Sequence, residues 1–417
     1  MTRVIMVRHL VAALATVLTL ATPCARADTG PGPAPGGDPA AGRRWTGTWE
    51  AAPSGTAPAR PGASIRNVVH TSVGGEAVRV RISNRLGTEP LLLGAVTVAL
   101  QEPGEPAGPD AVPGSMRTVT FAGAGSVVVP PGTDLVGDPV RLRIPADANL
   151  LISVHTPADS GPATYHRSAH QTNFLAREGD RTTDERGTRY TVGLDNWFYV
   201  TGVDVLGAPA AGSVVTLGDS ITDGTGSTPD TNHRWPDRLA ARLRDLPPYR
   251  RLGVLNAGIS GNRLLLAGSG PSALDRLDAD VFSRTGVRAV IVMEGVNDIK
   301  GTPEQRDPRA LEDAYRRIVT RAHALGLRVV GATITPYGGH PAWTEAREAV
   351  RQEVNAFLRE GGLFDAVADF DAAVRDPADP YRIRPAYDPG DHLHFNDAGM
   401  RAMADTVDLG TLVPDRS

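Results

Sequence analysis

Apolar and polar positions follow two different patterns along this chain. Between Trp45 and Leu206 the apolar runs are short, as in Ser64–Thr71 (SIRNVVHT) and Leu150–Val154 (LLISV). Val78–Ser83 (VRVRIS) alternates strictly, the pattern of a strand with one buried face. Turn residues recur between these runs at Gly74-Gly75, Gly87, Pro130–Gly132 and Asp159–Pro162. Many short strands with regular turns and no long amphipathic helix predict a β-sandwich or jelly-roll-like domain over residues 45–206. From Gly212 the pattern changes to alternating strands and helices. Val214–Leu217, Leu252–Leu255, Ala289–Met293 and Arg328–Ile334 read as strands. Trp235–Leu246, Pro308–Leu325 (ended by Gly326), Trp343–Leu358 and Asn396–Val407 carry helical spacing. Such alternation implies parallel strands joined by helical crossovers, hence a doubly wound α/β domain over residues 212–417. Gly207–Gly212 (GAPAAG) is the expected linker, and no internal repeat is visible.

The first 44 residues fit neither pattern. Arg3 and Arg8 precede an apolar run, Leu10–Ala21, that is shorter than the ~20 residues of a membrane span. Ala25-Arg26-Ala27 places small residues where a signal peptidase reads, so residues 1–27 are expected to be a secretory signal cleaved after Ala27. A short buried helix is the alternative. A lipoprotein would acylate Cys24, but Pro23 stands where that pattern has a small residue. Residues 28–44, rich in Pro, Gly and Ala, have too little apolar surface to order themselves and read as a disordered leader.

Composition narrows the function classes. Of 417 residues, 41% are hydrophobic and 22% charged, which excludes a mainly disordered chain. The 46 glycines and 34 prolines follow no G-X-Y period, which excludes collagen. The net charge of −4 gives no basic excess, so no nucleic-acid partner is expected. Loss of the signal, with its three arginines and no acid, would lower the charge to −7. It would also remove Cys24, the only cysteine, and with it disulfides, thiolate metal sites and cysteine nucleophiles. No other stretch is long and apolar enough to span a bilayer, so a secreted, extracellular protein without stable membrane insertion is expected. The oligomeric state stays open.

Four blocks carry candidate chemistry. Gly218-Asp219-Ser220-Ile221 follows the strand Val214–Leu217, and the end of a parallel strand is where α/β proteins present reactive groups. Ser220 there is either an exposed hydroxyl or a helix N-cap. Gly-x-Ser-x-Gly is absent, because Thr222 follows Ile221. Asn256–Asn262 (NAGISGN) follows the next strand; its turn is either a plain connection or a source of N–H groups for an oxyanion. Gly295-Val296-Asn297-Asp298 ends a buried strand, where Asn297 is either a turn residue or a carboxamide donor. Asp391–Asn396 (DHLHFN) holds His394, a general-base candidate, with Asp391 one turn behind it and able to accept its Nδ1–H. Asp388 is a second candidate partner for His394. His392 reads as a solvent-facing loop residue; His392 with His394 as metal ligands lacks other clustered ligands. Asp219 and Asp298 read as structural support, and Arg234 and Trp235 as pocket wall or, for Trp235, core.

Together these blocks resemble the SGNH hydrolases, also called the GDSL esterase/lipase family. The resemblance covers about Ser213 to Leu409, with the blocks in the family order. It implies a flavodoxin-like three-layer α/β/α domain. It also implies Ser220 as nucleophile, His394 as base and Asp391 as its orienting acid. The Ser220 N–H, the Gly261 N–H and the Asn297 side chain would form the oxyanion hole. No cofactor is implied. Ser168–Phe174 and Asn262–Leu265 are similar to secreted actinobacterial-type members that carry an N-terminal β domain. The expected function is hydrolysis of a small-molecule or saccharide ester. Aromatic content of 5% favours short acyl chains or acetylated saccharides over lipid interfaces. The alternatives are a catalytically weak carbohydrate-binding protein, and an acyltransferase using the same acyl-enzyme.

Overall fold

The computed structural model describes residues 44–413. The expected signal, 1–27, and the leader up to residue 43 lie outside the described residues. The strand-rich and α/β halves pack as parts of one compact unit.

Residues 44–206 build an antiparallel sandwich. One sheet orders Trp45–Glu50, Val200–Leu206, Ala77–Ser83 and Asp134–Val136. The facing sheet is centred on Ala63–Thr71, Ala148–Thr156 and Ala95–Leu100. The alternation in Val78–Ser83 works as expected: Val78, Val80 and Ile82 enter the core shared with Ile65, Val98, Ile152 and Val154 of the other sheet. Ala63–Thr71 is instead buried on both faces, because Phe174 and Tyr190 cover its outer side. Arg66 is consequently fully buried and donates to Ser153 Oγ (2.8 Å) and to the carbonyls of Pro109 (2.6 Å) and Asp184 (2.8 Å). A smaller sheet joins Ala163–His166 to Gly55–Ala57 and Trp197–Phe198.

The second half is a five-stranded parallel sheet. In chain order its strands are Gly212–Gly218, Leu252–Gly258, Val287–Met293, Arg328–Ala332 and Ala366–Ala368; in space the second lies outside the first, giving the order 2-1-3-4-5. That is the flavodoxin-like arrangement. The helices are α1 (Ser220–Asp223), α2 (Trp235–Arg244), α3 (Ala273–Leu277), α4 (Val296–Lys300), α5 (Pro308–Ala324), α6 (Glu345–Glu360), α7 (Phe370–Val374) and α8 (Asp397–Thr406). Side-chain alternation in the strands feeds two cores. Val215, Leu217, Val290 and Val292 meet α5 and α6, while Val214, Ala289, Ile291 and Met293 meet α2, α7 and α8. Trp235 belongs to the second core, edge-on to Phe370 at 5.3 Å, so it is core and not pocket wall. Arg234 is buried against Asp237. Among the described residues no helix is long and apolar enough to cross a membrane.

The open edge of the parallel sheet is closed by the sandwich. An edge strand exposes unpaired backbone groups, so covering it removes a site of wrong pairing. Here Val254 N–H donates to Ser72 Oγ (2.9 Å), and Ala51 bridges Asn256 in parallel register. Ser213 Oγ donates to the Gly47 carbonyl at 3.1 Å. The approach is close enough that a Cβ on Gly253 would sit 2.0 Å from the Gly47 oxygen. Both groups are backbone in paired strands, so neither can yield cheaply. Gly253→Ala is therefore expected to destabilise the protein by about 1–3 kcal/mol; an unchanged thermal midpoint would contradict this packing.

Candidate active site

All four sequence blocks meet at the C-terminal ends of the parallel strands, where the strand order reverses. Ser220 opens α1 directly after the first strand. Asp219 is the N-cap, its Oδ1 accepting the Ile221 N–H at 2.9 Å. Burial pushes the Asp219 carboxyl up to about 6, against the Ile221 N–H and the charges of His394 and Lys300. The N-cap role, one of the two readings of Ser220, thus falls to Asp219.

After the second strand the chain turns tightly. Ile259 N–H donates to the Gly218 carbonyl (3.0 Å), and Asn262 N–H closes back on Ile259 (2.9 Å). Gly261 holds φ +81° in this turn, a left-handed conformation that glycine adopts without strain. After the third strand α4 brings in Asn297, whose Nδ2 donates to the Asn262 carbonyl at 2.9 Å and lies 3.5 Å from Asp219 Oδ2. Asp298 accepts the N–H groups of Leu264 (2.7 Å) and Leu265 (3.0 Å), so it ties the third block to the second, the support expected of it. Among the described residues the Ser220 and Gly261 N–H groups meet no protein acceptor. Both are therefore free to bind a developing negative charge.

The fourth block delivers His394, the candidate base. His394 Nε2 lies 2.9 Å from Ser220 Oγ. Its Nδ1 lies 2.5 Å from Asp391 Oδ2, while Asp391 Oδ1 accepts the N–H groups of Leu393 (3.0 Å) and His394 (2.9 Å). Partial burial pushes the Asp391 carboxyl up, but these hydrogen bonds outweigh it and hold the group below its ordinary value. Asp391 stays ionised and can fix the ring with its proton on Nδ1, leaving Nε2 to accept from the serine. Asp388 is not a partner of His394. It binds His392 Nδ1 at 2.5 Å, and His392 is half-exposed, the solvent-facing loop residue expected.

Four contributors were not singled out from the sequence, although Ser260 lies within the second block. Arg276 of α3 lies beneath the site and donates to the carbonyls of Ala257 (2.6 Å) and Gly218 (3.1 Å) and to Asn262 Oδ1 (3.0 Å). Asp223, Ser260 and His166 form a second buried chain (described below). A lone arginine or histidine inside an ordinary run announces nothing about whether it will be buried.

Residues 216–402 match the model of the GDSL-like lipase/acylhydrolase family. Solved structures similar to this chain include an aryl esterase from M. smegmatis, at 18% identity over 48% of this chain and 99% of that one, with a TM-score of 0.38. A carbohydrate acetylesterase from Sinorhizobium meliloti is 18% identical over 46% of this chain and 94% of that one, at 0.36. A family two carbohydrate esterase from Cellvibrio japonicus is 12% identical over 88% of this chain and 94% of that one, at 0.37. No curated protein matches. Fold and family match together define an acylhydrolase domain of the α/β/α kind. Residues 216–402 are thus a domain of the SGNH (GDSL-like) hydrolase family, and that domain makes the chain an ester-hydrolysing enzyme.

Arg276 also contacts Asp280 Oδ2 (3.3 Å) and Glu294 Oε1 (3.5 Å), both buried carboxyls. Removing one partner of a buried ion pair strands the other groups. Arg276→Met should cost about 3–5 kcal/mol of stability, read as a lower denaturation midpoint.

Proposed function

We propose that this chain is a secreted serine esterase acting through Ser220, His394 and Asp391 and an acyl-enzyme. The observation that supports it best is the unbroken relay from Asp391 through His394 to Ser220, at 2.5 and 2.9 Å, beside Asn297 and two free N–H groups. Ser220 Oγ attacks the ester carbonyl carbon while His394 Nε2 takes the hydroxyl proton. The carbonyl oxygen becomes an oxyanion held by the Ser220 N–H, the Gly261 N–H and Asn297. The tetrahedral species collapses, the C–O bond to the alcohol breaks, and His394 gives its proton to the departing alkoxide. Water then repeats the sequence on the acyl-serine, releasing the acid and restoring Ser220. Residues 212–417 are the proposed catalytic domain, 45–206 an accessory β domain, 1–27 a signal and 28–44 a leader. N-terminal sequencing of the exported protein should begin at Asp28.

Ser220→Ala is expected to abolish hydrolysis of a chromogenic short-chain ester. Asn297→Ala should lower kcat about 100- to 1000-fold, the usual effect of losing one oxyanion donor. Asp391→Ala should reduce kcat less than Ser220→Ala, and Asp388→Ala should leave it nearly unchanged. Retention of activity by Asn297→Ala would remove it from the oxyanion hole.

The proposed substrates are short acyl esters or acetylated saccharides, on the low aromatic content of 5%. An acyl series from acetate to palmitate, beside an acetylated polysaccharide, should show the highest kcat/KM at the short end. A maximum at palmitate would overturn this, and ester products formed with added alcohol would indicate acyl transfer.

A further inference from the structure

We propose that His166 and Arg167, neighbours in the strand-rich half, are positioning residues for the oxyanion hole: between them they hold the Ser260–Gly261 peptide whose N–H receives the negative charge. The inference rests on the esterase reading above, since it concerns how that reading's Gly261 donor is held.

The contacts form two arms. In the first, His166 Nε2 lies 3.0 Å from Asp223 Oδ1, and Asp223 Oδ2 accepts both the N–H (2.8 Å) and the hydroxyl (2.6 Å) of Ser260. In the second, Arg167 Nη2 donates to the Ser260 carbonyl at 3.1 Å. That carbonyl and the Gly261 N–H belong to the same peptide unit. The peptide is planar, so fixing the oxygen on one side aims the N–H on the other. A donor on the oxygen also polarises the N–H and strengthens it as a donor. Gly261 has no side chain with which to hold the plane itself, and the turn needs its φ of +81°.

The first arm is charged at both ends. His166 Nδ1 faces the Ala52 carbonyl at 2.7 Å, and Nε2 faces Asp223 and the Ser168 carbonyl at 3.2 Å. Every neighbour is an acceptor, so both ring nitrogens must carry protons and the ring is an imidazolium. Burial alone would drive the His166 pKa down, but the Asp223 charge and hydrogen bond outweigh it and raise the value. Burial likewise pushes Asp223 up, and the His166 charge outweighs that and lowers it. Both side chains are 3% exposed. A buried pair of this kind is an unlikely gain in stability over an apolar contact, so its geometric role carries more weight. Asp223 also lies in α1, three residues after Ser220. One carboxylate therefore sets the oxyanion turn against the helix that carries the proposed nucleophile, and its second partner comes from the other half of the protein.

Misplacing a donor by a fraction of an ångström weakens the transition state more than the ground state. The test measures kcat per active site titrated by the acyl burst, KM, and affinity for a trifluoromethyl ketone, whose adduct with serine carries the oxyanion. His166→Gln is expected to lower kcat and ketone affinity together by about 10- to 100-fold, with KM within about threefold. Arg167→Ala, an exposed residue whose loss should not unfold the chain, is expected to lower both about 3- to 10-fold. Ser260→Ala should behave like a partial His166→Gln, and the two together should be less than additive. Arg79→Gln is the control: it cuts the hydrogen bond to Thr285 Oγ1 (3.1 Å) between the halves at the opposite end of the sheet, and should leave kcat per site unchanged. If His166→Gln does not fold, Arg167→Ala and Ser260→Ala decide alone. Unchanged kcat per site and ketone affinity in the folded variants, whatever their melting points, overturn the inference. An equal loss in Arg79→Gln also overturns it, because docking of the halves in general would then be responsible. If Ser220→Ala and Asn297→Ala remain active, the esterase reading itself has failed, and the ketone would then bind none of the variants differently.

Discussion

One buried guanidinium holds the reactive end of the parallel sheet together. At the strand ends the last carbonyls can each accept a second hydrogen bond, as Gly218 does beside that from the Ile259 N–H. Arg276 takes up two of them, on Gly218 and Ala257, and the side-chain oxygen of Asn262. These are the residues just before the proposed nucleophile, just before the oxyanion turn and just after Gly261. A buried arginine has five N–H donors in a fixed plane, so it can satisfy several acceptors at set angles where water could not be kept. The charge it brings must itself be balanced. Asp280 does this, and Asp280 in turn accepts from Arg85 of the strand-rich half at 2.5 Å and from Arg284 at 3.3 Å. Arg284 lies 2.7 Å from Glu50 in the first strand of the sandwich. Burial pushes the Glu50 carboxyl up to about 8 despite the charge of Arg284.

The strand-rich half is thus more than an appended module. It closes the open sheet edge through Ser72, Ala51 and Gly47, and it reaches the active-site loops by two buried ionic routes, Arg85 to Arg276 and His166 to Ser260. Such routes suit a site that must not move. Charged pairs in a dry interior are directional and have few alternative arrangements, whereas an apolar interface would allow sliding. The relay of Asp391, His394 and Ser220 sits on the other side, at the rim, where the His394 side chain is 15% exposed and Asp391 47%. The proposed donors Ser220 and Asn297 are buried, while the proposed base stands close to solvent, from which the second half of the proposed hydrolysis would take its water.

Much of this was legible in the chain. Four of the five parallel strands could be read from continuous apolar runs, because a strand buried on both faces has no polar side to interrupt it; the fifth, Ala366–Ala368, is only three residues long and left no such run. The four blocks could be read because each is a short local motif, with a glycine or asparagine where a turn is required. Even the Asp391–His394 contact follows from spacing, since one turn of chain suffices to bring the two together. Other features were not legible. Asp388 stands as near to the histidines in sequence as Asp391 does, and only the fold of the loop, with His392 at φ +61°, sends it to His392. Trp235 could be read as pocket wall or as core, and only the packing of α2, which turns it inward against Phe370, decides for core.

The sequence by itself determined the class of fold, the family of its second half and the candidate reactive residues, because these depend on periodicity and on motifs a few residues long. The tertiary structure alone decided what supports them. His166 lies 57 residues from Asp223, and Arg276 lies 58 from Gly218. Contacts at that separation leave no period and no motif. They arise because two halves bury one another, and a polar side chain caught in that burial must find its partners wherever the packed backbone has placed them.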